Sequence, residues 1–433
     1  NLADSEEMLG LLTAGGHEIT DDETQADAIV INTCCFIKDA KEESVETILE
    51  MAEYKKTGSC HALIVTGCMA QRYQKEIIEE VPEVDAVLGT TSYGDIVKAL
   101  EEAVAGNHFE EFRDIDYLPD TGSKRVLTTG GHFGYLKIAE GCDKHCTYCI
   151  IPKLRGKFRS VPMERLIAQA EDMAEQGVKE LILVAQETTV YGKDLYGKKS
   201  LHILLKKLCE IRGIRWIRIL YCYPEEIYDE LIETIRDEKK ICHYLDIPIQ
   251  HASDRILKRM GRRTSKQELI DIVGKLRKEI PDIVLRTTLI TGFPGETEED
   301  HEELKEFVDE MEFDRLGVFT YSPEENTPAA EMADQVPEEV KEERRDELME
   351  LQQEISYDRG QDRIGQELLV MIEGKVADES AYIGRTYGDA PKVDGYIFVQ
   401  TGELLMTGDF AKVRVTGALE YDLIGEIDDE FTE

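Results

Sequence analysis

The residues most able to do chemistry are three cysteines in the run from Gly141 to Ile150. Cys142, Cys146 and Cys149 follow the spacing C-x3-C-x2-C. Structural zinc takes four ligands, and a disulfide framework needs an even number of cysteines, so neither matches three thiols. Three thiolates can hold an iron–sulfur cluster and leave one iron open, whereas four cysteines close an ordinary electron-transfer cluster. The alternative is a loop that carries three reduced thiols.

A series of alternating elements must hold this triplet at the end of a strand. From residue 133 onward, apolar segments alternate with amphipathic ones, which predicts six strand–helix units. The predicted strands are 135–139, 181–185, 216–221, 244–249, 283–290 and 316–321, and the predicted helices are 162–176, 201–211, 224–239, 266–280 and 298–312. Six units are too few for a closed eightfold barrel, so we expect a partial (β/α)6 barrel. Its chemistry should lie at the carboxyl ends of the strands, where the triplet follows the first strand.

Two further domains flank this barrel. Apolar strands at 28–31, 63–65 and 86–88, with a helix at 39–56, predict an N-terminal parallel α/β domain. After a charged helix at 337–360, the pattern changes to period two with frequent glycine, which predicts a small antiparallel β-barrel. The predicted organisation is an α/β domain at 1–105, a linker at 106–131, the partial barrel at 132–360 and the small β-barrel at 361–433.

Two more cysteines follow apolar strands of the first domain. Cys34 ends the run Ile31-Asn-Thr-Cys34, and Cys68 stands in Thr66-Gly-Cys-Met-Ala-Gln-Arg72. Because the carboxyl ends of parallel strands meet at one edge of a sheet, both thiols should project from that edge. Taken alone, the pair favours two buried structural cysteines over metal ligands.

Polar residues and glycines follow the other strands of the barrel domain. They are Gln186 and Glu187 after the second strand, Gln250 and His251 after the fourth, and Gly292 and Gly295 after the fifth. Side chains at these ends point into the mouth of a barrel, and glycine lets the backbone approach a ligand closely. Local explanations compete with binding. The run from Thr297 to Asp300 is a capping box, so the glycine loop can be a tight entry to a helix, and His251 can be a hydrogen-bonded core residue.

Composition narrows the partner and the compartment. The formal charge of −39 disfavours attraction to nucleic-acid phosphates and favours a basic protein partner, although acidity can also serve solubility. The apolar runs are too short to span a bilayer, no signal peptide is visible, and scattered cysteines without extracellular markers indicate a reducing cytoplasm. The basic islands Arg155, Arg159 and Arg262-Arg263 either contact an anionic group or are solvated surface charge.

The triplet, with Tyr148 directly before its last cysteine, resembles the signature of the radical S-adenosylmethionine (SAM) superfamily. The resemblance implies that the three thiolates bind a [4Fe-4S] cluster and that the amino and carboxylate groups of SAM chelate its open iron. Reduction would then split SAM to a 5′-deoxyadenosyl radical, which abstracts a hydrogen atom. The residues implied to bind the cofactor are Tyr148, Gln186, Glu187, Gln250, Gly292 and Gly295.

The motifs around Cys34 and Cys68 resemble those of the methylthiotransferase family, and the resemblance covers nearly the whole chain. It implies that each cysteine gives one ligand to a second [4Fe-4S] cluster, where a methylated sulfur is held, and that the small β-barrel is a TRAM domain. The family's third ligand precedes an Asn-x-x-Asp-Ser motif, which here begins at Asn1. We therefore expect a truncated chain whose auxiliary cluster is absent or defective. Cys35 is a poor substitute, because adjacent side chains diverge from an extended strand.

The known branches of that family modify either an adenosine in transfer RNA or an aspartate in small-subunit ribosomal protein S12. Residues 361–433 carry 16 acidic and 6 basic side chains, a net charge of −10, which would repel RNA and attract a basic protein. The segments 184–188, 249–253, 389–391 and 393–395 look more like the ribosomal-protein branch.

We therefore expect an enzyme that adds a methylthio group to the β-carbon of the S12 aspartate and that uses SAM both as methyl donor and as radical source. The electron donor is not predicted, and neither a membrane nor a nucleic-acid partner is expected. The alternatives are a transfer-RNA (MiaB-like) methylthiotransferase and a non-enzymatic iron–sulfur adaptor.

Overall fold

The computed structural model of the chain describes residues 1–120, 122, 124–377 and 380–432. The chain divides into two compact units. The first contains Asn1–Thr128, Lys137–Arg165 and Ser322–Glu331, and the second contains Thr129–Leu136, Leu166–Tyr321 and Met332–Glu433.

The secondary structure alternates between strands and helices up to residue 361 and consists of strands thereafter. The strands are β1 (Ala28–Thr33), β2 (Ala62–Gly67), β3 (Ala86–Leu88), β4 (Phe109–Glu111), β5 (Phe133–Lys137), β6 (Ala139–Glu140), β7 (Arg159–Ser160), β8 (Glu180–Val184), β9 (Trp216–Ile219), β10 (Ile241–Gln250), β11 (Val284–Thr291), β12 (Arg315–Thr320), β13 (Glu367–Lys375), β14 (Ala381–Thr386), β15 (Ile397–Gln400), β16 (Phe410–Ala418) and β17 (Leu423–Thr432). The helices are α1 (Leu2–Ala14), α2 (Lys38–Thr57), α3 (Cys68–Tyr73), α4 (Lys75–Glu80), α5 (Ile96–Val104), α6 (Ile151–Arg155), α7 (Met163–Glu175), α8 (Lys193–Tyr196), α9 (Leu201–Cys209), α10 (Asp229–Asp237), α11 (Asp254–Arg259), α12 (Lys266–Glu279), α13 (Glu298–Met311) and α14 (Glu338–Gln361).

The first unit is built on a parallel sheet with the strand order β1-β2-β3-β4. All six residues of β2 are buried, because separate apolar clusters cover the two faces of the sheet. This confirms the predicted N-terminal α/β fold. The segment 106–131 differs from its prediction as a linker, since β4 lies within it and pairs in parallel with β3.

The six predicted strands of the partial barrel are present and form one sheet with the order β12-β11-β10-β9-β8-β5. The strands from β8 to β12 pair in parallel. Their boundaries lie within a few residues of the predicted ones, except that the first segment is interrupted after Lys137 and continues as β6. Strand β6 pairs antiparallel with β7 in the first unit.

The strands after residue 365 close into a barrel with the order β13-β14-β15-β17-β16. Within the described residues its pairings are antiparallel, as predicted, except that β15 and β17 run in parallel. Apolar side chains such as Val370, Ile397 and Val413 fill its interior. No helix in the part of the chain that the structure describes has the length and apolar character needed to cross a membrane.

Buried charges join this small barrel to the amino-terminal ends of the six-stranded sheet. Glu180 on β8 accepts hydrogen bonds from Arg218 on β9 and Arg385 on β14, each at 2.7 Å, and all three side chains are fully buried. Farther along the sheet, Arg286 pairs with Asp246 at 2.9 Å and with Asp394 at 3.3 Å. A third contact joins Arg315 to Asp389 at 2.5 Å. The segments 389–391 and 393–395, which the sequence analysis associated with the substrate, therefore supply carboxylates that hold the two domains together.

Candidate functional site

The cysteine triplet lies in a loop between β6 and α6, in the first unit. Cys142 and Cys146 are each 7% exposed, and Cys149 is half-buried. Gly141 has a φ angle of +78°, and a Cβ atom there would lie 2.1 Å from the carbonyl oxygen of Lys157, so only glycine allows this close approach. The neighbouring N–H of Cys142 donates to Gly156 at 3.1 Å. The loop is thus fixed at its first cysteine.

The three thiols are electrostatically coupled. Burial raises the pKa of Cys149 to about 12, and the negative charges of Cys146 and Cys142 in their ionised forms add to that increase. A raised pKa disfavours the free thiolate, and the thiolate is the form that binds metal. A bound cationic cluster would supply the positive charge that stabilises the thiolates.

The donor set of this loop fits an iron–sulfur cluster. The backbone N–H of Lys144 donates to the Cys142 sulfur at 3.4 Å, and that of Ile151 donates to the Cys149 sulfur. Such N–H groups stabilise charge on cluster sulfurs. Among the described residues, no three histidine, cysteine or carboxylate side chains converge as the ligands of a single ion do. Each cysteine of a cluster binds a different iron, so its sulfurs need not converge on one point.

The second pair of cysteines lies at the carboxyl edge of the first sheet, as predicted. Thr33 of β1 stands in register with Gly67 of β2, which places the following Cys34 and Cys68 side by side. The backbone N–H and carbonyl of Cys34 both bond to the Ser44 hydroxyl, at 3.1 and 2.9 Å. A Cβ atom at Gly67 would lie 2.5 Å from the Thr33 carbonyl, so glycine is required for the two strand ends to meet.

Cys35 also belongs to this edge. It is fully buried, whereas Cys34 is half-buried, which agrees with the prediction that the two adjacent side chains diverge. Burial raises the pKa of Cys35 to about 12, and the nearby Cys68 contributes to that increase. Arg72 ends the motif that contains Cys68; its guanidinium donates to the Cys35 carbonyl at 3.2 Å and to Glu324 at 3.1 Å. The cysteine edge is therefore fastened by an arginine that the sequence analysis quoted without assigning it a role.

Helix α6 connects the two groups of cysteines. It begins two residues after Cys149, and Ile150 and Leu154 pack in the same apolar cluster as Cys35 and Cys68. The Leu154 carbonyl also accepts a hydrogen bond of 2.9 Å from the Thr90 hydroxyl. Both groups of cysteines thus belong to one compact unit.

A buried network of charges lies between α1 and the triplet loop. Arg155 is 4% exposed and donates to Asp4 and Glu140, each at 3.0 Å, and to Asn1 at 2.6 Å. Lys137 pairs with the same two carboxylates. Burial alone would raise the pKa of Glu140, but Arg155 and Lys137 hold it below its ordinary value. Arg155 is therefore neither a solvated surface charge nor a contact available to an external anion.

Of the other basic residues, Arg159 and Arg262 bond within the protein, whereas Arg263 makes no such bond to the described residues. Arg159 donates to the backbone carbonyls of Lys157 and Arg155, at 2.5 and 3.1 Å. Arg262 is 7% exposed, lies over the Tyr223 ring and donates to the Pro248 carbonyl at 2.8 Å. Only the neighbouring Arg263 is exposed, as the surface-charge alternative requires.

The second unit carries the polar residues predicted to bind SAM. Gln186 follows β8, Gln250 is the last residue of β10, and Gly292 follows β11, so all stand at the carboxyl ends of parallel strands in one sheet. The amide oxygens of Gln186 and Gln250 are buried and accept no hydrogen bond within the described residues. Glu187 is 1% exposed and accepts a hydrogen bond from the Thr189 N–H at 3.0 Å. Buried acceptors that lack a donor fit a ligand with N–H or O–H groups, such as SAM. Tyr148 lies in the triplet loop of the first unit and is half-buried.

The glycine loop has a packing explanation of its own. A Cβ atom at Gly292 would lie 2.0 Å from the Lys341 side chain, and one at Gly295 would lie 2.4 Å from an Asp334 oxygen. Thr297 caps α13 as predicted. The fully buried His251 accepts a hydrogen bond from the Ser253 N–H at 3.0 Å, and its Nε2 lies 3.4 Å from Glu296. The local explanation for His251 is therefore sufficient, while both glycines remain at the predicted edge.

Three families cover most of the chain. Residues 1–89 match the family described as Uncharacterized protein family UPF0004, residues 136–308 match the Radical SAM superfamily, and residues 364–427 match the TRAM domain. The triplet and the strand-end polar residues lie in the second match, and Cys34 and Cys68 lie in the first.

Curated relatives align along the full chain. The ribosomal protein uS12 methylthiotransferase RimO of Lachnoclostridium phytofermentans is 66% identical over 425 residues, which cover 98% of this chain and 97% of that protein. The protein of the same name from Desulforamulus reducens is 50% identical and covers 99% of this chain and 97% of its own length. Among solved structures, the radical S-adenosylmethionine methyltransferase TsrM from Kitasatospora setae, with cobalamin and a [4Fe-4S] cluster bound, aligns with a TM-score of 0.56. It covers 75% of this chain and 70% of its own at 14% identity, a likeness of fold alone.

The charge network around Arg155 was not predicted from the sequence. Its only local signals are the paired Lys137 and Glu140, three residues apart, directly before the triplet. Asp4 and Arg155 stand 151 residues apart, so no local pattern could join them.

Proposed function

We propose, from the premise that this chain belongs to the RimO family of ribosomal protein uS12 methylthiotransferases, that it adds a methylthio group to an aspartate β-carbon of ribosomal protein S12. The observation that carries this proposal is the 66% identity to a RimO protein over 98% of the chain. The cysteine triplet of the family signature and the pair at Cys34 and Cys68 accompany it within one unit.

Cys142, Cys146 and Cys149 would hold the [4Fe-4S] cluster, and Gln186, Glu187, Gln250, Gly292 and Gly295 would contact SAM, with Tyr148 beside the cluster. When bound, the cluster and SAM supply the radical that removes a hydrogen atom from the target carbon. The protein's own part is to bind, orient and exclude water. The buried thiols limit solvent at the loop, and the amide oxygens of Gln186 and Gln250 accept hydrogen bonds that orient the ligand.

The same proposal assigns Cys34 and Cys68 to a second [4Fe-4S] cluster, near which the transferred sulfur is held. Strands β1 and β2 bring the two residues level, and the Ser44 hydroxyl fixes the Cys34 backbone. Helix α6 then places this edge next to the segment that follows Cys149. Two sites in one compact unit suit a reaction in which a radical and a sulfur must meet at one carbon.

Charge supports a protein substrate. Residues 361–433 carry a net charge of −10, and the whole chain carries −39. A ribosomal protein is basic, so long-range attraction would raise its rate of encounter, whereas an RNA backbone would be repelled. We also propose a cytoplasmic location, where substrate and reduced cysteines coexist; cell fractionation with the ribosomal fraction tests it.

Reconstitution tests the activity directly. The full-length protein, loaded with iron and sulfide under anaerobic conditions and supplied with SAM and a chemical reductant, should increase the mass of S12 by one methylthio group. The Cys142→Ala variant should lose this product entirely. Cys209→Ala is the matched control, since Cys209 is a half-buried free cysteine outside both groups, and it should keep the product. Unmodified S12 in the presence of two loaded clusters would contradict the proposal.

The same assay separates the alternatives. Methylthiolation of transfer RNA in place of S12, with RNA binding that weakens steeply as salt increases, would instead identify the transfer-RNA branch. An iron–sulfur adaptor would bind its partner equally well with and without Cys142, and neither protein would cleave SAM. Iron and sulfide content, measured beside the product, reports whether one or two clusters are present.

A further inference from the structure

Three neighbouring strand ends in the second unit share an unusual backbone conformation. Just after β9, Tyr221 has a φ angle of +58°; Gln250, at the end of β10, has +73°; and Gly292, just after β11, has +68°. Glycine adopts this region without strain, but a bulky side chain such as tyrosine does so only where its surroundings force it. Strained residues of this kind cluster at ligand sites. Gln250 and Gly292 already belong to the proposed SAM site, whereas Tyr221 has no assigned role.

Polar groups from both neighbouring strands hold Tyr221 in this conformation. Its N–H donates to an Asp246 carboxylate oxygen at 3.2 Å, and its carbonyl accepts from the N–H and hydroxyl of Thr188, at 3.1 and 3.0 Å. Asp246 is itself fixed by Arg286 at 2.9 Å. Hydrogen bonds and an ion pair from β10, β11 and the loop after β8 therefore maintain the strained conformation.

The side chain of Tyr221, which this strained backbone carries, is partly exposed to solvent. Tyr221 is 47% exposed, and its hydroxyl makes no hydrogen bond within the described chain. Partial burial raises the pKa of Tyr221, and the Asp246 carboxylate adds to that increase. The phenol is thus neutral and presents an amphipathic face at the carboxyl edge of the sheet. Aromatic rings of this kind supply large contact areas to a partner at low entropic cost.

We propose that Tyr221 contacts the substrate protein beside the target aspartate. This inference rests on the proposed function and names one residue that the substrate would touch. A basic protein offers lysine and arginine side chains, whose stems and charges pack well on a tyrosine face. Asp246 does not compete for those charges, because Arg286 already neutralises it.

Tyr221→Gly tests this assignment because it removes the ring and the strain together. In the reconstituted enzyme, we expect the KM for S12 to increase about tenfold, the loss typical of one aromatic contact, while the thermal midpoint of the protein increases. Tyr221→Asn is a second variant that tolerates a positive φ and lacks the ring but adds no glycine to the loop. It should show the same increase in KM as Tyr221→Gly, which excludes a looser loop as the cause. The affinity for SAM, measured by equilibrium dialysis, gives the second readout and should be kept.

Glu312→Gly is the matched control. Glu312 ends α13 with a φ angle of +43°, is exposed, and stands just before β12, at the opposite edge of the same sheet. Relief of strain there should increase the thermal midpoint without changing the KM for S12. An unchanged KM in Tyr221→Gly would overturn the inference, as would a parallel loss of SAM affinity, which would place Tyr221 in the SAM pocket. Failure of the parent enzyme to modify S12 would instead defeat the proposed function, and this inference with it.

Discussion

Burial decides what single charged residues can do in this protein. Arg155 and Arg263 are the same amino acid in the same acidic chain, yet one is 4% exposed among carboxylates and the other is exposed. Removing the buried Arg155 guanidinium would leave two buried carboxylates, Asp4 and Glu140, to share Lys137 alone in a medium of low polarity. Contacts within the folded protein therefore hold Arg155 in place beside the cysteine loop without a bound cofactor.

Arg155→Gln should destabilise the protein strongly. At pH 7 we expect a loss of about 3–5 kcal/mol in the free energy of unfolding, because Asp4 and Glu140 lose a buried partner. The pKa values of both carboxyls are below their ordinary range in the parent, so the stability they contribute is present above about pH 4 and is lost as the pH falls through their folded values. The gap between parent and variant should therefore stay nearly constant from pH 7 to about pH 4 and narrow as the pH falls below that value, as measured in urea unfolding experiments. Arg263→Gln should show no gap, and an equal loss in both variants would contradict this account.

Cys242 gives a prediction at alkaline pH. Burial raises the pKa of Cys242 to about 12, and this thiol lies in an apolar cluster away from both groups of candidate ligands. The thiol ionises at about pH 8.5 in the unfolded chain, so its contribution to the free energy of unfolding is fully present below that pH. Above that pH the free energy of unfolding falls by about 1.4 kcal/mol per pH unit from this thiol, up to about pH 12. Cys242→Ala should reduce the alkaline slope by about this amount, as measured by urea unfolding at pH 7, 9 and 10, while other buried thiols such as Cys35 keep their own share. Identical slopes in parent and variant would count against the burial of this thiol.

At the scale of elements, turns carry more of the site than the strands do. The loop of the triplet, the end of β2 and the end of β11 each require a glycine because a neighbouring backbone or side chain fills the place of a Cβ atom. The strands define an edge, and these turns decide what reaches it. Substitutions in the turns should therefore separate stability from cofactor loading.

Gly141→Ala should disturb the triplet loop. The added methyl would lie 2.1 Å from the Lys157 carbonyl oxygen, and the alanine would have to adopt a φ angle of +78°. Together these effects should lower the free energy of unfolding by about 1–3 kcal/mol. Less iron should be retained per chain after reconstitution. Gly274→Ala is the control, since Gly274 lies in α12 with open space around it, and should stabilise the protein by about 0.5–1 kcal/mol. Equal iron content in Gly141→Ala and the parent would refute a special role for this glycine.

The sequence predicted those elements whose signal is local. The apolar runs of β2 and β11 and the capping box at Thr297 are visible within a few residues, and the structure confirms them. Strand β4 was missed because its sequence, Phe-Glu-Glu, is polar and half-exposed at the edge of a sheet. The pairing of β6 with β7 joins strands of two residues, too short for any periodic pattern. The cysteine assignments and the domain boundaries stay predictions, since they depend on a bound cofactor and on independent folding.

For the whole molecule, acidity should control the encounter with a basic substrate. A net charge of −39 creates an attractive field that salt shortens to roughly 8 Å at physiological ionic strength. We expect the association rate with S12, measured by stopped flow, to fall about tenfold or more between 50 and 500 mM salt, with a much smaller change in dissociation rate. An association rate that is independent of salt would contradict this role for the charge.

The buried pairs that join the C-terminal barrel to the sheet also impose an order on biosynthesis. Arg315 leaves the ribosome well before Asp389, its partner 74 positions later, and Arg286 similarly precedes Asp394. Until Asp389 emerges, the Arg315 guanidinium at the floor of the six-stranded sheet lacks that partner and stays hydrated. Arg286, in contrast, already has Asp246 on the neighbouring strand. We therefore expect this edge of the sheet to become fully buried only after the last domain has been synthesised.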